Sequence, residues 1–315
     1  MSTDLRASTN STYHAEHLAD RAAMVVMRAM IALQPPTEFG PAGRTAFDDL
    51  LSKTPSADGV GYESATVGGV PGWWCRASDA IDGGAILYFH GGAYVVGSAQ
   101  AYRRFGGQIA ARAKAPVFVA EYRLAPECPF PAAVEDAEAA YRGLAGVGIH
   151  RIALAGDSAG GALALVTAAR MAEAARDGAT PVPVATCVMS PWTDLALTGD
   201  SIETRAKHDP LLSRRVLRDA VRLYLGPADA KDPRASPLYG DAAGLPPVLL
   251  HVGEDEILLD DARRFTDLAA RSGAAAELHV WRGMVHVFPA NLALLHAARE
   301  ALDITGEFLH SHIGR

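Results

Sequence analysis

Ser158 stands in the pentapeptide Gly156-Asp157-Ser158-Ala159-Gly160, with the short apolar run Ile152 to Ala155 before it and a helical stretch, Ala162 to Arg176, after it. This is G-x-S-x-G between a strand and a helix, the context in which a sharp turn presents a serine oxygen as a nucleophile. The glycines have a steric reason: neighbours with side chains would clash in so tight a turn. The helix that follows points its first N–H groups toward charge developing beside the serine. Without that context the pentapeptide is a Gly-rich turn with an incidental serine. A second stretch, Ile86-Leu87-Tyr88-Phe89, runs straight into His90-Gly91-Gly92-Ala93. Glycines at a strand end let backbone N–H groups converge on a bound oxygen. Acyl transfer needs such a site, because its tetrahedral intermediate carries an oxyanion. The expected donors are Gly91 and Gly92, joined by Ala159 beside the nucleophile. His90 reads as a hydrogen bonder that fixes the loop.

A serine nucleophile also needs a base within hydrogen-bond reach and a group that holds the base in its tautomer. Downstream of Ser158 the histidines are His208, His251, His279, His286, His296, His310 and His312. His286 follows the last strand in a loop that can reach the sheet's carboxyl edge. His279 and His251 lie within strands, His208 in a helical excursion, and the other three on or after the terminal helix. For the acid, Glu254, Asp255, Glu256, Asp260 and Asp261 all lie in range after the strand Val248 to Val252. The residues alone leave that choice open. Asp157 adjoins the nucleophile, but adjacent side chains on a sharp turn point apart, so its role is read as structural. Trp192 and Asp194 are read as bracing the loop after the sixth strand.

The elements that must position these groups alternate along the chain. Strand-like runs occur at Tyr62–Val67, Trp73–Arg76, Ala85–Phe89, Val117–Glu121, Ile152–Ala155, Val184–Met189, Val248–Val252 and Glu277–Trp281. Helical segments at Ala101–Ala113, Ala132–Leu144, Ala162–Arg176 and Asp260–Arg271 separate most of them from the third onward. That rhythm means βαβ units and a mostly parallel sheet, with an antiparallel hairpin at its start. The expected class is α/β: eight strands with helices on both faces. His14 to Leu33 reads as a helix whose second half, Ala22 to Leu33, is apolar almost all round, ended by Gln34-Pro35-Pro36. Such a helix is expected to be buried on more than one side, either packed on the body or lining an acyl pocket as a lid. A short helix is read at Thr45 to Leu51. The segment 195–246 has a helix from Leu211 to Leu225 and no strand-like run, which marks an inserted cap or lid. The domain reading is therefore N-terminal cap helices at 1–50, a catalytic domain at 51–194 and 247–315, and the inserted cap at 195–246.

The motifs together resemble the hormone-sensitive lipase family of α/β-hydrolases. The resemblance is carried by His90-Gly91-Gly92, Tyr122-Arg-Leu-Ala-Pro-Glu127 with Phe130-Pro-Ala-Ala, Gly156-Asp157-Ser158-Ala159-Gly160-Gly161, Ser190-Pro-Trp-Thr-Asp194 and Gly283-Met-Val-His286-Val-Phe. It spans from about Gly84 to the end of the chain, with the motifs in the family's order. The resemblance implies an eight-stranded α/β-hydrolase sheet under a helical cap and serine-dependent ester hydrolysis without a cofactor. It also implies the chain order serine, acid, histidine, with His286 as the base. The family's acid-x-Leu-x-Asp pattern fits Glu256-Ile-Leu258-Leu-Asp260 and selects Glu256, with Asp255 as the alternative one register away. Ala93 departs from the family, which usually has a third glycine there. A backbone N–H survives the change, and the methyl narrows the acyl side.

Composition sets the outer bounds. With 315 residues, 49% hydrophobic and 21% charged, the chain suits one large α/β domain with an accessory piece, or two small domains. A net charge of -7 argues against a nucleic-acid partner. The cysteines Cys75, Cys128 and Cys187 are odd in number and widely spaced, which argues against a disulfide framework and fits a reducing compartment. The polar start of the chain lacks a signal-peptide core, no apolar run is long enough to span a membrane, and a cytoplasmic location is expected. No metal is expected. The function expected is hydrolysis of a small-molecule carboxylic ester, with short to medium acyl chains, through an acyl-enzyme. A lactone is the alternative substrate. A non-catalytic binder is a different class; plant gibberellin receptors resemble the family but have lost the catalytic histidine, which is present here as His286. The apolar Ala22–Leu33 face could also serve association, so a homodimer is an expectation to test.

Overall fold

The computed structural model describes residues 10–33, 39–176, 178 and 180–314. Among these, the strands are β1 (Asn10–His14), β2 (Val60–Val67), β3 (Val70–Ala77), β4 (Gly84–Phe89), β5 (Val117–Ala120), β6 (Arg151–Asp157), β7 (Ala185–Met189), β8 (Val248–Gly253) and β9 (Ala276–Trp281). They form one sheet in the order β1-β9-β8-β7-β6-β4-β5-β3-β2. β3 runs antiparallel to both neighbours, β2 and β5, and every other pair is parallel. The central strands β4, β5, β7 and β8 are buried along their whole length. Helices cover both of their faces, and so they read as continuous apolar runs rather than alternating ones.

The helices are α1 (Leu18–Ala32), α2 (Arg44–Leu51), α3 (Ala99–Ala113), α4 (Ala132–Gly146), α5 (Ser158–Ala175), α6 (Ser201–Thr204), α7 (Arg214–Leu225), α8 (Leu259–Arg271) and α9 (His296–Ile313). α4, α5 and α8 pack Val134, Tyr141, Leu163 and Phe265 into the core on one face of the sheet. α3 and α9 pack Phe105, Ile109, Leu302 and Leu309 into the core on the other. α3 begins at Ser98, whose hydroxyl accepts from Ala101 N, and α7 at Ser213, which accepts from Val216 N. These side-chain caps satisfy N–H groups that a helix start leaves free. They set the starts of α3 at Ala99 and of α7 at Arg214, the latter three residues past the Leu211 start read from the sequence.

The eight strands read from the sequence are all present, and the hairpin β2–β3 is antiparallel as expected. β1 is an addition. It pairs parallel to β9 from Asn10↔Glu277 to His14↔Trp281, and the His14 ring stacks on Trp281 at 3.7 Å. Asn10-Ser-Thr-Tyr-His14 carries no alternating apolar pattern because it lies at the sheet's edge, held by backbone bonds and by the His14 ring, which stacks on Trp281 and His279 and hydrogen-bonds His279. The helix expected from His14 therefore starts at Leu18. The Gln34–Pro36 stop lies outside the described residues.

The expectation that α1 is buried on more than one side is corrected. Only Asp20 and Met24 of α1 are buried. Leu18, Val25, Val26, Met30 and Leu33 are all more than half exposed. Polar links hold the helix instead. The Asp20 carboxylate accepts from His296 N and Ala297 N at 2.8 Å each, capping α9. Arg28 donates to Asp255 Oδ2 at 2.7 Å and to the His208 carbonyl. No helix among the described residues is long and apolar enough to cross a membrane.

Candidate active site

Three parallel strands deliver the chemistry to one edge of the sheet. Ser158 follows β6, Glu256 follows β8 and His286 follows β9, each just past the strand's carboxyl end. Ser158 has φ +53°, a left-handed value that an ordinary residue adopts only when its surroundings impose it. The surroundings do so by close approach. A Cβ on Gly156 would run into the Gly160 carbonyl, and one on Gly160 into the carbonyl oxygens of Phe89 and His90. The two glycines let β6, the start of α5 and the end of β4 meet at the nucleophile.

His286 Nε2 lies 2.9 Å from Ser158 Oγ, and His286 Nδ1 lies 3.1 Å from Glu256 Oε1. Glu256 is fully buried. Its second oxygen accepts from Ser190 Oγ at 2.7 Å and from Gly253 N at 2.9 Å. With Oε2 occupied by two donors, Oε1 faces the imidazole. Burial pulls the His286 ring down, but the Glu256 hydrogen bond and charge, followed by the charges of Asp209 and Asp157, outweigh it and hold the ring above its ordinary 6.5. Asp255, the alternative acid, points the other way, into its ion pair with Arg28. Glu254 approaches Arg282 at 3.8 Å. Asp260 accepts from Ser201 N at 2.8 Å, and Asp261 accepts from Asp194 N at 2.8 Å. The other downstream histidines stay apart from Ser158. His251 accepts from Trp281 Nε1, His279 bonds His14, and His310 meets the Ala113 carbonyl.

The oxyanion loop differs from expectation at Gly91. Its N–H donates to Asp157 Oδ1 at 2.9 Å, so it is not free for a substrate oxygen. A Cβ on Gly91 would strike the same carboxylate. The next two N–H groups, of Gly92 and Ala93, donate to no acceptor among the described residues, and neither does that of Ala159. Gly92 at φ +116° and Ala93 at φ +56° turn the loop sharply, and Val95 N and Val96 N donate back to the Gly92 carbonyl. Asp157 also accepts from Tyr88 OH at 2.6 Å and Tyr102 OH at 3.0 Å. Burial pushes its carboxyl up to about 6 against the pull of these three donors. His90 is fully buried, and burial pushes its imidazole down to about 4. It bonds the Gly91 carbonyl through Nδ1 at 2.8 Å and stacks on Tyr122, whose hydroxyl donates to the His90 carbonyl. Both Asp157 and His90 thus fix the loop.

Ser190 is the residue that sequence reasoning passed over. Its hydroxyl donates to Glu256 and accepts from Val287 N at 3.0 Å, joining the acid to the residue after the base. The signal lay in Ser190-Pro-Trp-Thr-Asp194, where only Trp192 and Asp194 were singled out. Those two do brace the neighbourhood. Trp192 N donates to the Ser158 carbonyl at 3.0 Å, and Asp194 accepts from Thr198, Tyr239 and Arg264. The segment between β7 and β8 also reaches the oxyanion loop, because Tyr224 of α7 stacks on Tyr94 at 3.8 Å. Among the described residues no group of three or more His, Cys, Asp or Glu is arranged to hold a metal.

A mostly parallel sheet with a serine on the strand–helix turn after β6, and a histidine and an acid on later loops, is the architecture of an α/β-hydrolase. Residues 86–290 match the family model described as the alpha/beta hydrolase fold. An acetyl-hydrolase of Streptomyces hygroscopicus is 42% identical over 79% of this chain and 82% of its own length. An esterase of Acinetobacter venetianus is 34% identical over 85% of this chain and 88% of its own. The crystal structure of an esterase from the bacterial hormone-sensitive lipase family superposes with a TM-score of 0.87 at 40% identity, covering 96% of this chain and all of that one. The chain belongs to the hormone-sensitive lipase family of α/β-hydrolases.

Proposed function

We propose that this chain is a carboxylic ester hydrolase that works through Ser158, His286 and Glu256 and prefers short to medium acyl chains. The observation that carries the reading is the unbroken hydrogen-bond path from Ser158 Oγ through both nitrogens of His286 to a fully buried Glu256. Glu256 accepts the hydrogen bond of Nδ1–H and leaves Nε2 free to take the serine proton. Ser158 attacks the acyl carbonyl, and the new oxyanion sits against the N–H groups of Gly92, Ala93 and Ala159. His286, now protonated, gives its proton to the leaving alcohol. Water then attacks the acyl-enzyme with His286 again as base.

The acyl preference rests on the proposed cap, narrowed to α1 and α2 with residues 195–246 because Asn10–His14 is a strand of the sheet, and on the Ala93 methyl in the oxyanion loop. The name of the Streptomyces hygroscopicus relative, an acetyl-hydrolase, points the same way. Each added methylene contributes about 0.8 kcal/mol only while apolar room remains to bury it. Beyond that room it displaces packed side chains at about 1–3 kcal/mol. A panel of p-nitrophenyl esters of rising chain length, run beside lactones and emulsified long-chain triglyceride, tests the proposal. The expected kcat/KM peaks between acetate and hexanoate. A peak on lactones would reassign the substrate while keeping the triad, and a peak on triglyceride would remove the cap argument.

A further inference from the structure

The loop that carries Glu256 is gripped from above on both sides. On its N-terminal side, Asp255 is held by Arg28 of α1. On its C-terminal side, Ile257 is held at both backbone groups by the segment between β7 and β8. Ile257 N donates to Asp209 Oδ2 at 2.9 Å, and the Ile257 carbonyl accepts from Ser201 Oγ at 2.7 Å. Asp209 is itself rigidly set. Its Oδ1 accepts from Leu211 N at 2.8 Å and Leu212 N at 2.9 Å, Pro210 follows it, and the side chain is buried. Arg28 also donates to the carbonyl of His208, the residue just before it.

We propose that Asp209 is a positioning residue of the catalytic centre: it fixes the backbone at Ile257, beside Glu256, and so places a second buried carboxylate next to the acid that holds His286. The proposal rests on the triad reading above. Its physical basis is that His286 becomes a cation when it takes the serine proton. A buried negative charge stabilises that cation through the protein interior, where screening by salt and water is weak. Asp209 does so without competing for the hydrogen bond of Nδ1–H, which Glu256 accepts. Three carboxylates act on His286. Glu256 comes from the β8–α8 loop, Asp157 from the β6–α5 turn and Asp209 from the segment after β7, with the Arg28–Asp255 ion pair behind them. Burial raises the Asp209 carboxyl above the usual range, and the His286 charge and the N–H groups of Ile257, Leu212 and Leu211 pull it back; the aspartate in turn raises the imidazole.

The test compares Asp209→Asn with Asp209→Glu and reads the acid limb of kcat/KM, which reports the protonation of His286 in the free enzyme. The Asn variant keeps an oxygen for Leu211 and Leu212 but loses the charge. Its limb should move to lower pH by about half a unit or more, with kcat reduced at least about threefold and KM little changed. The Glu variant, which keeps the charge, should hold the limb at the native position. If Asp209→Asn does not fold, Asp209→Ser carries the same reading. A lowered Tm with the limb unmoved would reduce Asp209 to a scaffold residue and overturn the proposal. Ser158→Ala and Glu256→Gln are measured alongside. If either keeps near-native turnover, the triad reading fails; if both lose it and the limb stays in place, only the Asp209 inference falls.

Discussion

The Ser190 hydroxyl sits 2.7 Å from Glu256 Oε2 and receives Val287 N at 3.0 Å, so one side chain ties the triad acid to the loop of the triad base. Removing it leaves Glu256 Oε2 with Gly253 N alone and leaves the part-buried Val287 N–H without its acceptor. Ser190→Ala should lower kcat by about one to two orders of magnitude, as displacement of a positioned group does. Its stability cost should be about 1 kcal/mol from the hydrogen bonds lost. Steady-state kinetics and urea unfolding check the pair of effects, and a change in KM alone would show that Ser190 acts elsewhere.

Glu256→Gln should reduce kcat by about three to four orders of magnitude, because an amide can present its NH2 to Nδ1 and select the wrong tautomer. Asp255→Asn should do far less, since that carboxylate faces Arg28. Equal losses in the two variants would mean that the ring can turn toward either acid.

The pH dependences of activity and stability should slope in opposite directions around His286. Catalysis needs the neutral ring, so kcat/KM should fall as pH drops through a value above 6.5, where the folded imidazole is held. A raised folded value means that the folded ring binds its proton more tightly than the unfolded one. The stability gained is complete below the unfolded value and is lost as pH rises through the folded value. Unfolding and kcat/KM measured across the same pH series check both signs.

His90 carries the opposite linkage. Its folded imidazole is pushed down to about 4 from 6.5, so the unfolded chain takes up this proton first on acidification. Stability should be full above about pH 6.5 and lost as pH falls toward 4, by about 3 kcal/mol for this one ring. His90→Asn should flatten that part of the curve in urea unfolding; an unchanged slope would place the acid sensitivity in other groups.

Arg28→Ala should loosen α1 without unfolding the body. The Arg28–Asp255 pair is part-exposed, so its loss should cost no more than about 1 kcal/mol. Hydrogen exchange should rise across Leu18–Ala32 and stay unchanged in β4, β6 and β8. Uniform exchange changes through the sheet would mean that the helix supports the whole fold.

Much of this protein was legible in its sequence because the relevant physics is local. Gly156, Ser158 and Gly160 announce a sharp turn by their spacing alone, and the buried central strands announce themselves as unbroken apolar runs. His286 could be read because it falls just past the last strand. Other features were decided by tertiary structure. Glu256 and Asp255 are adjacent and chemically alike, and what separates them is what faces each one: Ser190, 66 residues away, on the first, and Arg28 on the second. Gly91 and Ala93 both offer an N–H, and only the Asp157 carboxylate lying under the loop decides which is occupied. An apolar stretch such as Ala22–Leu33 shows what could be buried, but polar anchors at Asp20 and Arg28 settle how the helix lies. β1 has no periodic signal, because an edge strand is made by the backbone of its neighbour. Local sterics and apolar period act over a few residues and can be read along the chain. Hydrogen-bond partners and charge neighbours come from distant segments, and only the folded chain brings them together.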